Sequence, residues 1–169
     1  MIRNSLLIFF FALISFHTYG QEIIDLAKTK FETPEDYRKG EIIVLKCVDI
    51  LFSRPIDSDE GERILATKII YAWIVGTPDY LFQIEEWISK ITGKDPHLMG
   101  LYLGGLAAYA IENGLEKGDN ATMQIEVAKK IIRYIQDKGN NVQMNRPIRK
   151  LRSAYEKNKL LEFLDLEIE

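Results

Sequence analysis

The stretch PHLMGLYLGGLAAYAIEN, residues 96–113, decides the fold of this chain. Nearly every residue from 97 to 111 is apolar or small, so a helix over this stretch has no face suited to water. A helix that is apolar all round is buried. Gly100, Gly104 and Ala108 recur every four residues, a spacing that lets a neighbouring backbone come close. Because a membrane span needs roughly 20 apolar residues, we expect the central helix of a folded domain instead.

Signals for helix starts lie on both sides of this central stretch. A capping residue directly followed by proline occurs at Thr33-Pro34, Thr77-Pro78 and Asp95-Pro96. Proline at the first helical position has no amide hydrogen to leave unpaired, and the residue before it can accept hydrogen bonds from the next free amides. With glycine and asparagine stop signals, this pattern predicts six helices and a short tail. The predicted bounds are about residues 34–53, 59–75, 78–92, 96–113, 120–138 and 147–158, with the tail near 160–167.

The expected fold is all-α, with a single helical domain over residues 21–169. Short turns between consecutive helices favour antiparallel neighbours, packed either as a compact bundle or as an irregular, repeat-like stack of helical hairpins. The helix starts are unevenly spaced, so a regular tetratricopeptide array is not expected. A domain of this length can bury a substantial apolar core.

The first twenty residues have the composition of an export signal. Arg3 gives a basic start, residues 5–16 are almost wholly apolar, and the small residue Gly20 comes just before a suitable cleavage site. The apolar run is shorter than the roughly 20 residues of a membrane span. We therefore expect residues 1–20 to be a signal peptide cleaved near Gly20, and the remaining chain to be exported without a transmembrane segment.

The sequence offers no recognisable catalytic or metal-binding motif. Beyond residue 20 it has one histidine, His97, and one cysteine, Cys47, too few for a common zinc site or an internal disulfide. The acidic run at residues 57–62 places glycine fifth, whereas a calcium-binding EF-hand loop needs it sixth. We expect no catalytic residue, metal or cofactor, and we expect Cys47 either to be a buried thiol or to bridge to another chain.

Basic residues concentrate near the end of the sequence. Residues 129–159 contain ten bases but only two acids, in a chain whose net charge is −3. Such a patch can bind an anionic lipid or glycan, or it can simply offset the acidic helices beside it. Without interleaved aromatic residues, nucleic acid is not an expected partner. The candidate anion-binding residues are Lys130, Arg133, Arg146, Arg149, Lys150 and Arg152.

Aromatic residues cluster between positions 71 and 109. Rings gathered where three helices meet can line a ligand pocket or a peptide groove, and they can equally form core. Their Ile, Leu and Val neighbours at helical spacing favour core. The candidate pocket residues are Trp73, Tyr80, Trp87 and Tyr102.

Three short motifs give the sequence a resemblance to a known group of proteins. They are WIVGTPDY at residues 73–80, GLY at residues 100–102 and NNV at residues 140–142. The chain resembles small, exported, all-helical and uncharacterised proteins of Gram-negative bacteria, over about residues 60–155. The resemblance implies a location in the bacterial periplasm or outside the cell, and it implies no activity.

The expected function is binding to another protein without catalysis, since convergent titratable groups are few. Anion binding by the basic segment 129–159 is the first alternative. An enzyme that uses carboxylates in a cleft, with tyrosine or His97, is the second.

Overall fold

The computed structural model describes residues 28, 30–93, 95–114 and 120–166. Within these residues the chain is all-helical and has no strand, as the sequence predicts. The expected signal peptide, residues 1–20 with its cleavage site near Gly20, lies outside the described residues. No helix in the described part of the chain has the length and apolar composition needed to cross a bilayer.

In the described ranges, seven α-helices pack against one another and a single 3₁₀ turn, Lys138–Asn140, follows the fifth. They are α1 (Pro34–Ser53), α2 (Glu60–Gly76), α3 (Glu86–Thr92), α4 (Pro96–Asn113), α5 (Asn120–Gln136), α6 (Arg146–Glu156) and α7 (Leu160–Leu164).

Helix α4 is the centre of the molecule, as its composition predicts. It packs against α1, α2, α3 and α5, and Leu101, Tyr102 and Leu106 on it are fully buried. A β-carbon built at Gly105 would lie only 2.9 Å from Val127 Cγ1 of α5. The glycine therefore lets α4 and α5 approach more closely than any other residue would permit.

Two of the three predicted proline starts are confirmed by their caps. The Thr33 hydroxyl accepts from the Asp36 amide at 3.3 Å, and Asp36 Oδ2 accepts from the Thr33 amide at 2.8 Å. At the start of α4, Asp95 Oδ1 accepts from the His97 amide at 2.9 Å. These bonds satisfy amides that the first turn of a helix leaves without partners.

The third proline start, at Thr77-Pro78, is wrong. Residues 77–85 are not helical, and α3 covers only the second half of the predicted helix at 78–92. Tyr80 and Phe82 both pack on Trp73, with ring centroids 5.7 Å and 6.0 Å from the indole. In a helix, residues two apart point to nearly opposite faces, so only an extended chain lets both rings reach one indole.

Arg63 of α2 is buried to 1% exposure and caps the end of α1. Its Nη1 donates to the Leu51 carbonyl at 3.0 Å and to the Arg54 carbonyl at 3.4 Å. Because the last turn of α1 has no base of its own, Arg63 supplies positive charge where the helix dipole is negative. Its Nε and Nη2 make no hydrogen bond within the described residues, and burial lowers the pKa of its guanidinium.

Candidate functional site

The non-helical segment between α2 and α3, residues 77–85, bends at Pro78 and Asp79 and is here called the 77–85 segment. Its end is held by Gln124 of α5, which is fully buried and whose Nε2 donates to the Gln83 carbonyl at 3.1 Å. The Tyr102 hydroxyl accepts from the Glu85 amide at 3.1 Å and donates to Gln124 Oε1 at 3.0 Å. Trp87 Nε1 donates to the same Oε1 at 3.1 Å. Because these buried groups satisfy one another, they fix the segment against α4 and α5.

Asn120, at the start of α5, adds a second clamp on the same end of the segment. Its Nδ2 donates to Gln83 Oε1 at 2.9 Å and to Glu85 Oε1 at 2.7 Å. Burial raises the pKa of the Tyr102 phenol, which keeps the hydroxyl protonated and able to donate. The end of the 77–85 segment is thus bound through both its main chain and its side chains.

The beginning of the segment is attached to α1. Arg38 Nε and Nη2 donate to the two carboxylate oxygens of Asp79 at 2.9 Å and 3.1 Å. The hydrogen bonds from Arg38 lower the pKa of the Asp79 carboxyl. Beneath this pair, Trp73 Nε1 donates to the Tyr37 carbonyl at 3.0 Å. An exposed ion pair adds little stability, but this two-pronged geometry orients the chain.

The middle of the 77–85 segment is open to solvent and carries apolar side chains. Leu81 is 77% exposed and Ile84 is 56% exposed. In the described part of the chain, the backbone groups of Leu81, Phe82 and Ile84 take part in no hydrogen bond. An extended backbone with free amides and carbonyls can pair with a second strand.

Other exposed apolar residues lie on the helices that hold the segment. Five of the six large apolar side chains exposed in the described residues lie on α1, α2 or the segment itself. Ile42 stands one helical turn after Arg38, and Leu81 stands two residues after Asp79, so both flank the Arg38–Asp79 pair. The binding surface, as used below, means Ile42, Leu81 and Ile84.

Helices α4 and α5 line a partly open cavity of about 540 Å³, here called the α4–α5 cavity. Among its lining residues, Tyr109 and Glu112 come from α4 and Lys130 and Arg133 from α5. Gly105 of α4 and Val127 of α5, which are in close contact, also line it. Two of the six candidate anion-binding residues therefore line a single cavity.

The other four candidate bases lie on α6, whose inward face buries Ile148 and Leu151. All four are exposed. Arg149 Nη1 donates to the Met144 carbonyl at 2.6 Å, and Arg152 Nε lies 3.3 Å from Glu156 Oε1. None of the four lines the α4–α5 cavity. The four bases on α6 are Arg146, Arg149, Lys150 and Arg152.

A second cavity, of about 560 Å³, brings acidic residues together with the histidine at the start of α4. Asp57, Glu60, Asp95 and His97 all line it. Two of the carboxylates have structural partners, since Asp95 caps α4 and both oxygens of Asp57 lie 3.2 Å from Asn141 Nδ2. In the described ranges, no three His, Cys, Asp or Glu side chains are placed to hold a metal ion. This is where the proposed carboxylate enzyme would act, and that function stays a prediction.

The four candidate pocket aromatics form two separate ring contacts. Trp73 packs on Tyr80, and Trp87 meets Tyr102 edge-on with centroids 5.4 Å apart. Trp73, Trp87 and Tyr102 are buried, and neither of the two cavities is lined by any of the four. The first contact supports the start of the 77–85 segment and the second supports its end. A ligand pocket formed by these rings stays a prediction.

Cys47 lies on the buried face of α1 and has no exposed surface. The expectation of a buried thiol is confirmed. Burial raises the pKa of the Cys47 thiol to about 12. A thiol that stays protonated is a poor nucleophile, so Cys47 contributes to packing.

Sequence reasoning missed the residues that build the 77–85 segment. Gln83, Asn120 and Gln124 are single polar residues that no pattern in the sequence links to one another. Residues 80–83 also lack the alternation of apolar and polar side chains that is typical of a half-buried extended chain, since Tyr80, Leu81 and Phe82 are all apolar or aromatic. Comparison of the sequence with protein-family models, curated proteins and solved structures found no significant match.

Proposed function

We propose that this chain binds another protein through the 77–85 segment and its binding surface, with no reaction of its own. The observation that carries the proposal is a non-helical segment whose main chain at Leu81, Phe82 and Ile84 pairs with none of the described residues, while both of its ends are fixed. Binding then costs little conformational entropy, because the segment is already ordered.

The partner is best described as a protein that offers an extended, apolar strand. Main-chain pairing would supply affinity, and alternate side chains of the added strand would meet Leu81 and its neighbours. Two of the three carboxylates at the ends of the segment already face a cation, since Asp79 is held by Arg38 and Glu86 of α3 lies 3.4 Å from Lys90 Nζ. Glu85 accepts from the neutral Asn120 amide and keeps its negative charge, so a partner strand with a basic residue opposite Glu85 suits this charge distribution.

A photo-crosslinking experiment tests the proposal in cells that make the full chain. A photoreactive amino acid placed at Leu81 should give one adduct of defined mass. The same amino acid at Leu161, an exposed apolar position on α7, is the matched control and should give none. Absence of an adduct at Leu81, or equal adducts at both positions, would show that the binding surface lies elsewhere.

Once the adduct identifies the partner, two substitutions separate apolar contact from strand pairing. Leu81→Asp should weaken binding by about tenfold or more, because a carboxylate cannot be buried at low cost. Leu81→Pro removes an amide hydrogen that has no partner in the described structure, so it should weaken binding without unfolding the chain. Full binding by Leu81→Pro would argue against strand pairing.

Export to the bacterial periplasm or the medium stays part of the proposal, supported by the composition of residues 1–20. The resemblance to small exported helical proteins of Gram-negative bacteria supports the same location. An exported chain meets partner proteins outside the cytoplasm, which is where the proposed partner is to be sought.

A further inference from the structure

We propose that the α4–α5 cavity binds an oxyanion group, a carboxylate or a phosphate, between Lys130 and Arg133. This site is independent of the binding surface on the 77–85 segment. It also reduces the six candidate anion-binding bases of the sequence to two, because Lys130 and Arg133 line this cavity and the four bases on α6 do not.

Lys130 lines this cavity and has no hydrogen-bonding partner among the described residues. Its Nζ lies 4.8 Å from the centroid of the Phe52 ring, and within the described ranges it forms no ion pair. Partial burial lowers the pKa of Lys130, while the carboxylate of Glu112 acts to raise it. A half-buried ammonium gains more from an added anion than an exposed one does, because less water competes.

Arg133 stands one helical turn after Lys130 on α5, so both side chains project from the same face. No carboxylate of the described residues pairs with Arg133. The two cations also repel, since Arg133 lowers the pKa of Lys130. An oxyanion between them would relieve this repulsion and could accept two hydrogen bonds from the guanidinium.

The acidic residues of the cavity do not cancel this positive charge. Glu126 is paired with Lys129 Nζ at 2.6 Å, which leaves Glu112 as the remaining carboxylate among the described lining residues. Counted with Lys129, three cations stand against two carboxylates in the described surroundings of the cavity. A volume of about 540 Å³ accommodates a small molecule or the headgroup of a lipid.

Titration of the full chain with inorganic phosphate tests the site, with amide signals of residues near Tyr109 and Arg133 followed by NMR. We expect saturable shifts, weakened by about tenfold in Lys130→Met or Arg133→Gln, as loss of one charged hydrogen bond implies. Added sodium chloride should weaken binding as well. Lys150→Met and Arg146→Gln, which remove equal charges outside the cavity, are the matched controls and should bind as the unchanged chain does.

A second arm uses vesicles that contain phosphatidylglycerol and identifies the source of the anion. Phosphate binding without vesicle binding assigns the cavity to a free small anion, whereas vesicle binding that needs Lys130 and Arg133 assigns it to a lipid headgroup. The proposal is overturned if neither probe binds. It is also overturned if the α6 controls lose as much affinity as the cavity variants, because the effect would then come from net charge alone.

Discussion

At the scale of the residue, Cys47 links burial to the pH dependence of stability. The folded thiol has a pKa of about 12, whereas an unfolded cysteine has a pKa of about 8.5. Between these values the unfolded chain releases a proton that the folded chain keeps. The contribution of the Cys47 thiol to the free energy of unfolding is therefore fully present below about pH 8.5, and it falls as the pH rises above that value.

We expect the free energy of unfolding to drop by about 2 kcal/mol between pH 8 and pH 10 because of this single group. Urea unfolding of the unchanged chain and of Cys47→Ala at both pH values measures the effect. Tyr102 and Lys130, whose pKa values burial also shifts, are present in both proteins, so their contribution cancels in the comparison. An equal pH dependence in the two proteins would mean that Cys47 is not the origin of the drop.

The burial of Arg63 could not be predicted from its residue type. In the sequence it is one of many bases, yet the fold buries it completely at the end of α1. Its carbonyl partners belong to residues 51 and 54, and Tyr134 of α5 donates to the same Arg54 carbonyl at 2.7 Å. Nothing in the local pattern of α2 distinguishes a buried arginine from an exposed one, because the partners come from other helices.

At the scale of the element, the 77–85 segment depends on a few hydrogen bonds from α4 and α5. Tyr102→Phe removes the acceptor of the Glu85 amide and one donor to Gln124 Oε1. We expect hydrogen exchange at Glu85 to become about tenfold faster, while amides in the middle of α4 keep their protection.

Hydrogen–deuterium exchange of the two proteins measures this change, and Tyr155→Phe is the control. The Tyr155 hydroxyl forms no hydrogen bond in the part of the chain that the structure describes, so its loss should leave Glu85 unaffected. Unchanged exchange at Glu85 in Tyr102→Phe would show that other contacts hold the segment.

Most of the helices could be predicted from the sequence, because the signals that define them lie within a few residues of one another. The caps at Thr33 and Asp95 and the wholly apolar run of α4 act within a few residues, so the sequence pattern contains them. Thr77-Pro78 carries the same start signal, but Trp73 and Gln124 hold the following residues in an extended form. Such long-range contacts override local propensity, and a pattern of neighbours cannot show them. The α4–α5 cavity was unpredictable for the same reason, although two of its bases were singled out.

At the scale of the whole molecule, the prediction concerns cleavage of the signal peptide and export of the remaining chain. Production of the complete sequence in a Gram-negative host should yield an exported protein that begins at Gln21, because Gly20 precedes the expected cleavage site. Intact mass and N-terminal sequencing of periplasm and medium measure this, with Gly20→Pro as a variant that should resist cleavage. A cytoplasmic protein that retains Met1 would contradict the proposed export.

The position of α4 also governs how the molecule can be divided. Helices on both sides of the chain, α1 and α2 before it and α5 after it, bury their apolar faces against this one element. A truncation between α1 and α5 does not yield two fragments that each contain a complete hydrophobic core. A fragment that lacks α1, α2 or α5 would therefore expose the apolar surface of α4 and aggregate, so these four helices must be acquired, lost or exchanged together.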